Sequence, residues 1–86
     1  MNAGGQVVAE LERVRKEQSE NKFAIREVAN KIERATTPIN MSAEANSRSD
    51  AVGALHELAA KGRGASEADW QHVVALVAFW KKTAGF

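Results

Sequence analysis

The chain of 86 residues contains no cysteine. That excludes a disulfide framework, a thiol nucleophile and a thiolate metal site. Tyrosine is missing as well, and the aromatic residues are three Phe and two Trp. Proline occurs once, at Pro38, so a single residue imposes a fixed interruption. Neither sign of charge dominates: 12 Lys and Arg stand against 11 Asp and Glu, for a formal net charge of +1. This balance excludes the strongly basic tail of a nucleic-acid clamp and, equally, an acidic mimic of nucleic acid. The longest stretch without charged or strongly polar side chains, Val73 to Trp80, is eight residues. A membrane-spanning helix needs about 20. Residues 1–9 have no basic region leading into an apolar run, which argues against a secretory signal. The expectation is a cytoplasmic protein with no membrane partner.

Apolar residues make up 44% of the chain, enough for the core of one small domain spanning residues 1–86. Sixteen alanines, with many Glu, Lys, Arg and Gln, favour helix. Alternation of apolar and polar residues never persists, so no strand is expected. The predicted class is all-α: a long N-terminal helix with coiled-coil heptads over 6–35, a polar elbow over 36–48, and a helical hairpin over 49–83.

The first segment carries the clearest pattern. Val7, Leu11, Val14, Gln18, Asn21, Ile25, Val28, Ile32 and Ala35 are spaced alternately by 4 and 3, an unbroken heptad phase. A straight helix of this length would extend about 45 Å. The seam is apolar at both ends and polar at Gln18 and Asn21. In a parallel pair of chains Glu10 would face Arg15, and Glu17 would face Lys22. The reading is a homodimer whose interface is Leu11, Val14, Gln18, Asn21, Ile25, Val28 and Ile32, with the two polar residues fixing register. The alternative is one helix of a monomeric bundle, which shows the same i, i+3, i+4, i+7 spacing.

Pro38 ends the first segment, and the Ser, Asn and Thr that follow read as loop. Ser49 or Asp50 can cap a third segment containing Val52, Leu55 and Leu58. An earlier start at Ser42 is open, since Ala43, Glu44 and Ala45 follow it. Gly62 suits a left-handed helix end. Ser66 and Asp69 have the spacing of a capping box at the start of the last helix. Trp70, Val73, Val74, Val77 and Trp80 then share one face. Trp70 is assigned to the core, while Phe79 and Trp80 are assigned to partner binding.

Chemistry is sparse. His56-Glu57-Leu58-Ala59-Ala60 starts like a zinc-protease motif, but its fifth position is Ala60 and the second histidine ligand is missing. His56 and His72 lie on different helices. Gly62-Arg63-Gly64-Ala65-Ser66 could cradle an anion at a helix start, but lacks the lysine and length of a P-loop; a tight turn explains it better. Seven cations between Arg13 and Arg34 are diluted by six glutamates in the first 40 residues, unlike a basic region that enters a DNA groove. No catalytic residue, cofactor or metal site is assigned, and the protein is not expected to be an enzyme. The function expected is protein–protein interaction, as a small adaptor, assembly chaperone or inhibitor of a larger protein. A small nucleic-acid-binding regulator is the alternative.

Overall fold

The computed structural model describes residues 3–17, 21–35 and 42–85. These residues form four α-helices and one short 3-10 turn, with no strand among them: α1 Ala3–Glu17, α2 Lys22–Arg34, α3 Ser42–Lys61 and α4 Glu67–Thr83, the turn being Gly62–Gly64. No helix among the described residues is long and apolar enough to cross a membrane.

The expected single helix over 6–35 is two helices. Asn21 has an extended backbone (φ −88°, ψ 97°) and is the N-cap of α2. Its side-chain oxygen accepts from the backbone N–H of Phe23 at 3.0 Å and of Ala24 at 3.2 Å. An Asn that satisfies two first-turn donors is more favourable there than the same Asn in a helix interior. Asn21 is therefore an exposed cap, and the seam residue Gln18 lies outside the described residues.

The polar contacts set helix directions. Glu10 pairs with Lys31, so the start of α1 lies beside the end of α2. Arg15 pairs with Glu67, which brings the end of α1 to the start of α4. Lys61 and Asp69 meet at 2.8 Å across one end of the α3–α4 pair, and Ser47 and Thr83 at 2.6 Å across the other. Glu33 of α2 shares a surface cleft with Arg48 and Val52 of α3. Each helix packs on its chain neighbour, and α1 packs on α4. The result is an antiparallel, up-down-up-down four-helix bundle.

The apolar heptad residues from Val7 to Ile32 face the axis of this bundle. Val7, Leu11 and Val14 of α1 and Ile25, Val28, Ala29 and Ile32 of α2 are buried in one core with Leu55 and Leu58 of α3 and Trp70, Val73, Val77 and Trp80 of α4. Of the seam assigned to a homodimer interface, Leu11, Val14, Ile25, Val28 and Ile32 are thus covered by the chain's own helices. Glu10 and Arg15 likewise find partners within the chain, at Lys31 and Glu67.

Helix α3 starts at Ser42, so residues 42–48 of the expected elbow are helical, and Ser49 and Asp50 lie in mid-helix instead of capping it. Residues 36–41 lie outside the described residues. The polar first turns of α3 are held by contacts distant in sequence. Glu44 is 1% exposed and accepts from the indole N–H of Trp80 at 3.0 Å. Arg48 lies 3.5 Å from the same carboxylate. Ser47, also buried, stands beside Thr83. A buried carboxylate is tolerable when a donor and a counter-charge satisfy it.

The other end of the hairpin matches its sequence signals. Gly62 has φ +52° in the turn. Ser66 Oγ accepts from Asp69 N–H at 3.2 Å, and Asp69 Oδ2 accepts from Ser66 N–H at 2.9 Å, completing the capping box. The Lys61 ammonium and the Ser66 N–H both favour ionised Asp69. They hold its carboxyl at about 2, against an ordinary 3.8.

Candidate docking surface on α3 and α4

The two residues assigned to partner binding separate sharply. Trp80 is 0% exposed, packed in the core with its indole N–H on Glu44, and cannot meet a partner without opening the bundle. Phe79 is 56% exposed on the outer side of α4. Adjacent helical residues differ by about 100° around the axis, so one lies inside and the other outside. Trp70 is 5% exposed and belongs to the core, as its spacing implies.

The surroundings of Phe79 are low in charge. From Trp70 to Trp80 no Asp, Glu, Lys or Arg occurs. Gln71, His72, Ala75, Ala78 and Phe79 are all exposed, and Leu76 is half-buried. The outer sides of α1 and α2, in contrast, carry glutamates, lysines and arginines throughout. Acidic groups begin α4 at Glu67 and Asp69, and Lys81 and Lys82 end it. Its middle is an apolar ridge between charged ends.

Alongside this ridge runs an open groove of about 450 Å³ between α3 and α4. Asp50, Gly53 and Glu57 line it from α3, and His72 and Leu76 from α4. Phe79 lies one turn beyond Leu76 on the same side of α4. Gly53 is the low point of the α3 wall. A Cβ placed there would meet nothing within 4 Å, so the core does not require the glycine. Glycine inside a helix is nevertheless destabilising by about 0.5–1 kcal/mol relative to Ala. Asp50 and Glu57 form no ion pair with another described residue.

Phe23, in the first turn of α2, is 72% exposed, with the Lys22 ammonium 5.9 Å from its ring centroid. It lies at the end of the bundle where α4 begins, whereas Phe79 lies near the end where α4 stops. The two rings therefore belong to different surfaces. A second cleft, of about 300 Å³, lies between α1 and α2 beside Val7, Glu10, Lys31 and Arg34. Its cations are engaged: Lys31 with Glu10, and Arg34 with Glu27 at 3.6 Å.

The Gly62–Gly64 segment is a 3-10 turn, closed by a bond from Ala65 N–H to the Gly62 carbonyl at 3.2 Å. His72 lines the α3–α4 groove and His56 is exposed on α3. Among the described residues no group of three His, Cys, Asp or Glu is placed to hold a metal ion. Of the seven cations between Arg13 and Arg34, Arg13, Arg15, Lys31 and Arg34 are paired with carboxylates. No protein-family model, curated protein or solved structure matches the chain.

Proposed function

We propose that this chain is a protein-binding module, acting as a small adaptor, assembly chaperone or inhibitor, and that it docks a helix of another protein along the α3–α4 groove. The observation that carries the reading is Phe79, half out of water on a ridge without formal charge, next to a groove whose wall drops at Gly53. A helix docks on such a surface through apolar anchors at i, i+3/i+4 and i+7, which here would meet Leu76 and Phe79, while the rest of the groove is polar. Asp50 and Glu57 on the rim give the occupant its chemistry: apolar residues facing Leu76 and Phe79, and Lys or Arg facing α3.

The energetics fit one strong anchor in a modest surface. A Phe side chain buries about 150–250 Å² in total, so covering its exposed half contributes roughly 2–3 kcal/mol at about 25 cal/mol per Å². That is the size of a binding hot spot. Nucleic acid suits the surface less well, because the ridge offers no cation between Asp69 and Lys81 and the cations of α1 and α2 are mostly paired.

The test compares the wild-type chain with Phe79→Glu and with Gly53→Leu, which raises the groove floor. Circular dichroism should be unchanged in both. Gly53→Leu should melt no lower than the wild type, because a Cβ there meets nothing within 4 Å and Leu is the better helix former. Phe79→Glu should lose at most about 2–3 kcal/mol, since half of that ring is already in water. Immobilised wild type should retain a basic amphipathic helical peptide, and both variants should lose it. Equal retention by all three, or retention on heparin that falls steeply with salt, overturns the reading.

A further inference from the structure

The heptad phase of the first segment poses a problem that the closed bundle does not solve. Helices α1 and α2 are antiparallel neighbours, and nothing about such a hairpin requires the register of one to continue into the other. Yet the 4-3 spacing from Val7 to Ala35 runs through the break without a skip. The break is held by a local device, the Asn21 cap on α2. Only residues 18–20 separate the end of α1 from that cap.

We propose that this chain exchanges α1 with a second copy of itself, forming a dimer in which α1 and α2 are one continuous helix. Every contact that α1 makes in the closed chain is then remade with the other copy. Val7, Leu11 and Val14 enter the partner's core, Glu10 meets the partner's Lys31, and Arg15 meets the partner's Glu67. Such exchange of an identical element is a low-cost route to a dimer, and short connections between helices invite it. The unbroken phase is what the continuous helix needs: it keeps both halves of the apolar stripe on one side once the connection is helical.

The geometry also accounts for the polar centre of the seam. Residues 10 and 31 lie opposite each other, and their midpoint falls between residues 20 and 21. In the exchanged dimer the two long helices run antiparallel with their two-fold axis at that midpoint. Asn21 then lies next to Asn21 of the partner subunit. Amide side chains can donate and accept across a two-fold, which suits them to a self-facing layer. In the closed chain the same Asn21 serves as a cap. One residue thus satisfies both forms, and the cap decides between them.

The absence of cysteine makes the test clean. Glu10→Cys and Lys31→Cys are introduced together, at two positions of a surface ion pair. The protein is concentrated to millimolar, and its monomer and dimer fractions are separated by size exclusion with light scattering. Each fraction is then treated with a short bis-maleimide. The expected result is a bridge within one chain in the monomer fraction and a bridge between chains in the dimer fraction, read as a covalent dimer on a denaturing gel. Asn21→Ala removes two cap bonds from the closed chain against one self-facing contact in the dimer and puts a stronger helix former in the connection, so it should raise the dimer share several-fold, and two glycines inserted before Asn21 should abolish the dimer. A dimer fraction bridged only within chains, or not bridged, overturns the proposal. So does a chain that stays monomeric at millimolar concentration both as wild type and as Asn21→Ala.

Discussion

Replacing Trp80 by Ala tests the architecture most directly. The side chain is 0% exposed, and its indole N–H donates to Glu44, itself 1% exposed. Truncating a buried Trp commonly costs about 3–5 kcal/mol through lost transfer energy and the cavity left behind. Removing a donor from a buried, charged acceptor adds roughly 1–3 kcal/mol. Together these approach the whole stability of a small domain, about 5–15 kcal/mol. Trp80→Ala should therefore leave a chain that is largely unfolded or melts far below the wild type. Trp80→Phe separates the two contributions: most of the ring volume stays, the N–H is lost, and the expected loss is about 2–3 kcal/mol. Phe79→Ala, one residue away, should cost about 1–2 kcal/mol, well below Trp80→Ala, because only the buried half of that ring is lost to the fold. Urea unfolding followed by far-ultraviolet circular dichroism measures all three, and an unchanged m-value licenses comparison of midpoints. If Trp80→Ala costs no more than Phe79→Ala, Trp80 is not in the core and the packing of α3 against α4 described above is wrong.

Two further outcomes follow from local chemistry. Asp69 titrates at about 2 in the fold against an ordinary 3.8, so its contribution to stability is present above the ordinary value and is lost as pH falls towards 2; the drop in melting temperature between pH 4 and pH 2 should be smaller in Asp69→Asn than in the wild type, and equal drops would contradict the Lys61 and Ser66 contacts. Gly53→Ala should raise stability by about 0.5–1 kcal/mol, because the added methyl stands in open space and helix propensity alone decides; a loss on thermal melting would mean that the α3 wall is closed at that point.

Most of the helical content was legible in the residues themselves. Ser66 and Asp69 marked the start of α4, and Gly62 marked the turn before it, because capping and positive φ are settled within three or four residues. The apolar spacing of Val7 to Ile32 marked a buried stripe, and Trp70, Val73 and Val77 marked another. The first turns of α3 were legible only as the alternative start at Ser42, for a specific reason. Glu44, Asn46, Ser47, Arg48 and Ser49 have the composition of a loop, and the Trp80 and Thr83 side chains that make Glu44 and Ser47 acceptable inside the bundle come from 36 residues further along. The break at Asn21 escaped notice because the heptad phase survives it. A polar residue on an apolar seam has the same spacing whether it serves as a cap or as a buried layer. The candidate docking surface was half legible: Phe79 stood out as an aromatic on a charge-poor helix, while Asp50, Gly53 and Glu57 joined it only when α3 was laid alongside α4.

The sequence by itself determined which helix faces are buried, where α4 begins, that no disulfide takes part, and that the described residues form no strand. These are properties of propensity, capping and periodicity, and each is decided within a few turns of one helix. The tertiary structure alone decided whose atoms cover the stripe of the first segment, which of two neighbouring aromatics faces water, and how a carboxylate comes to be buried. Periodicity reports that a helix has a dry side, and the reason it reports no more is physical. The hydrophobic effect is non-directional, so the same stripe is satisfied by α3 and α4 of its own chain or by another copy. Choosing between them takes directional contacts such as those of Asn21 with its own helix start and of Glu44 with Trp80.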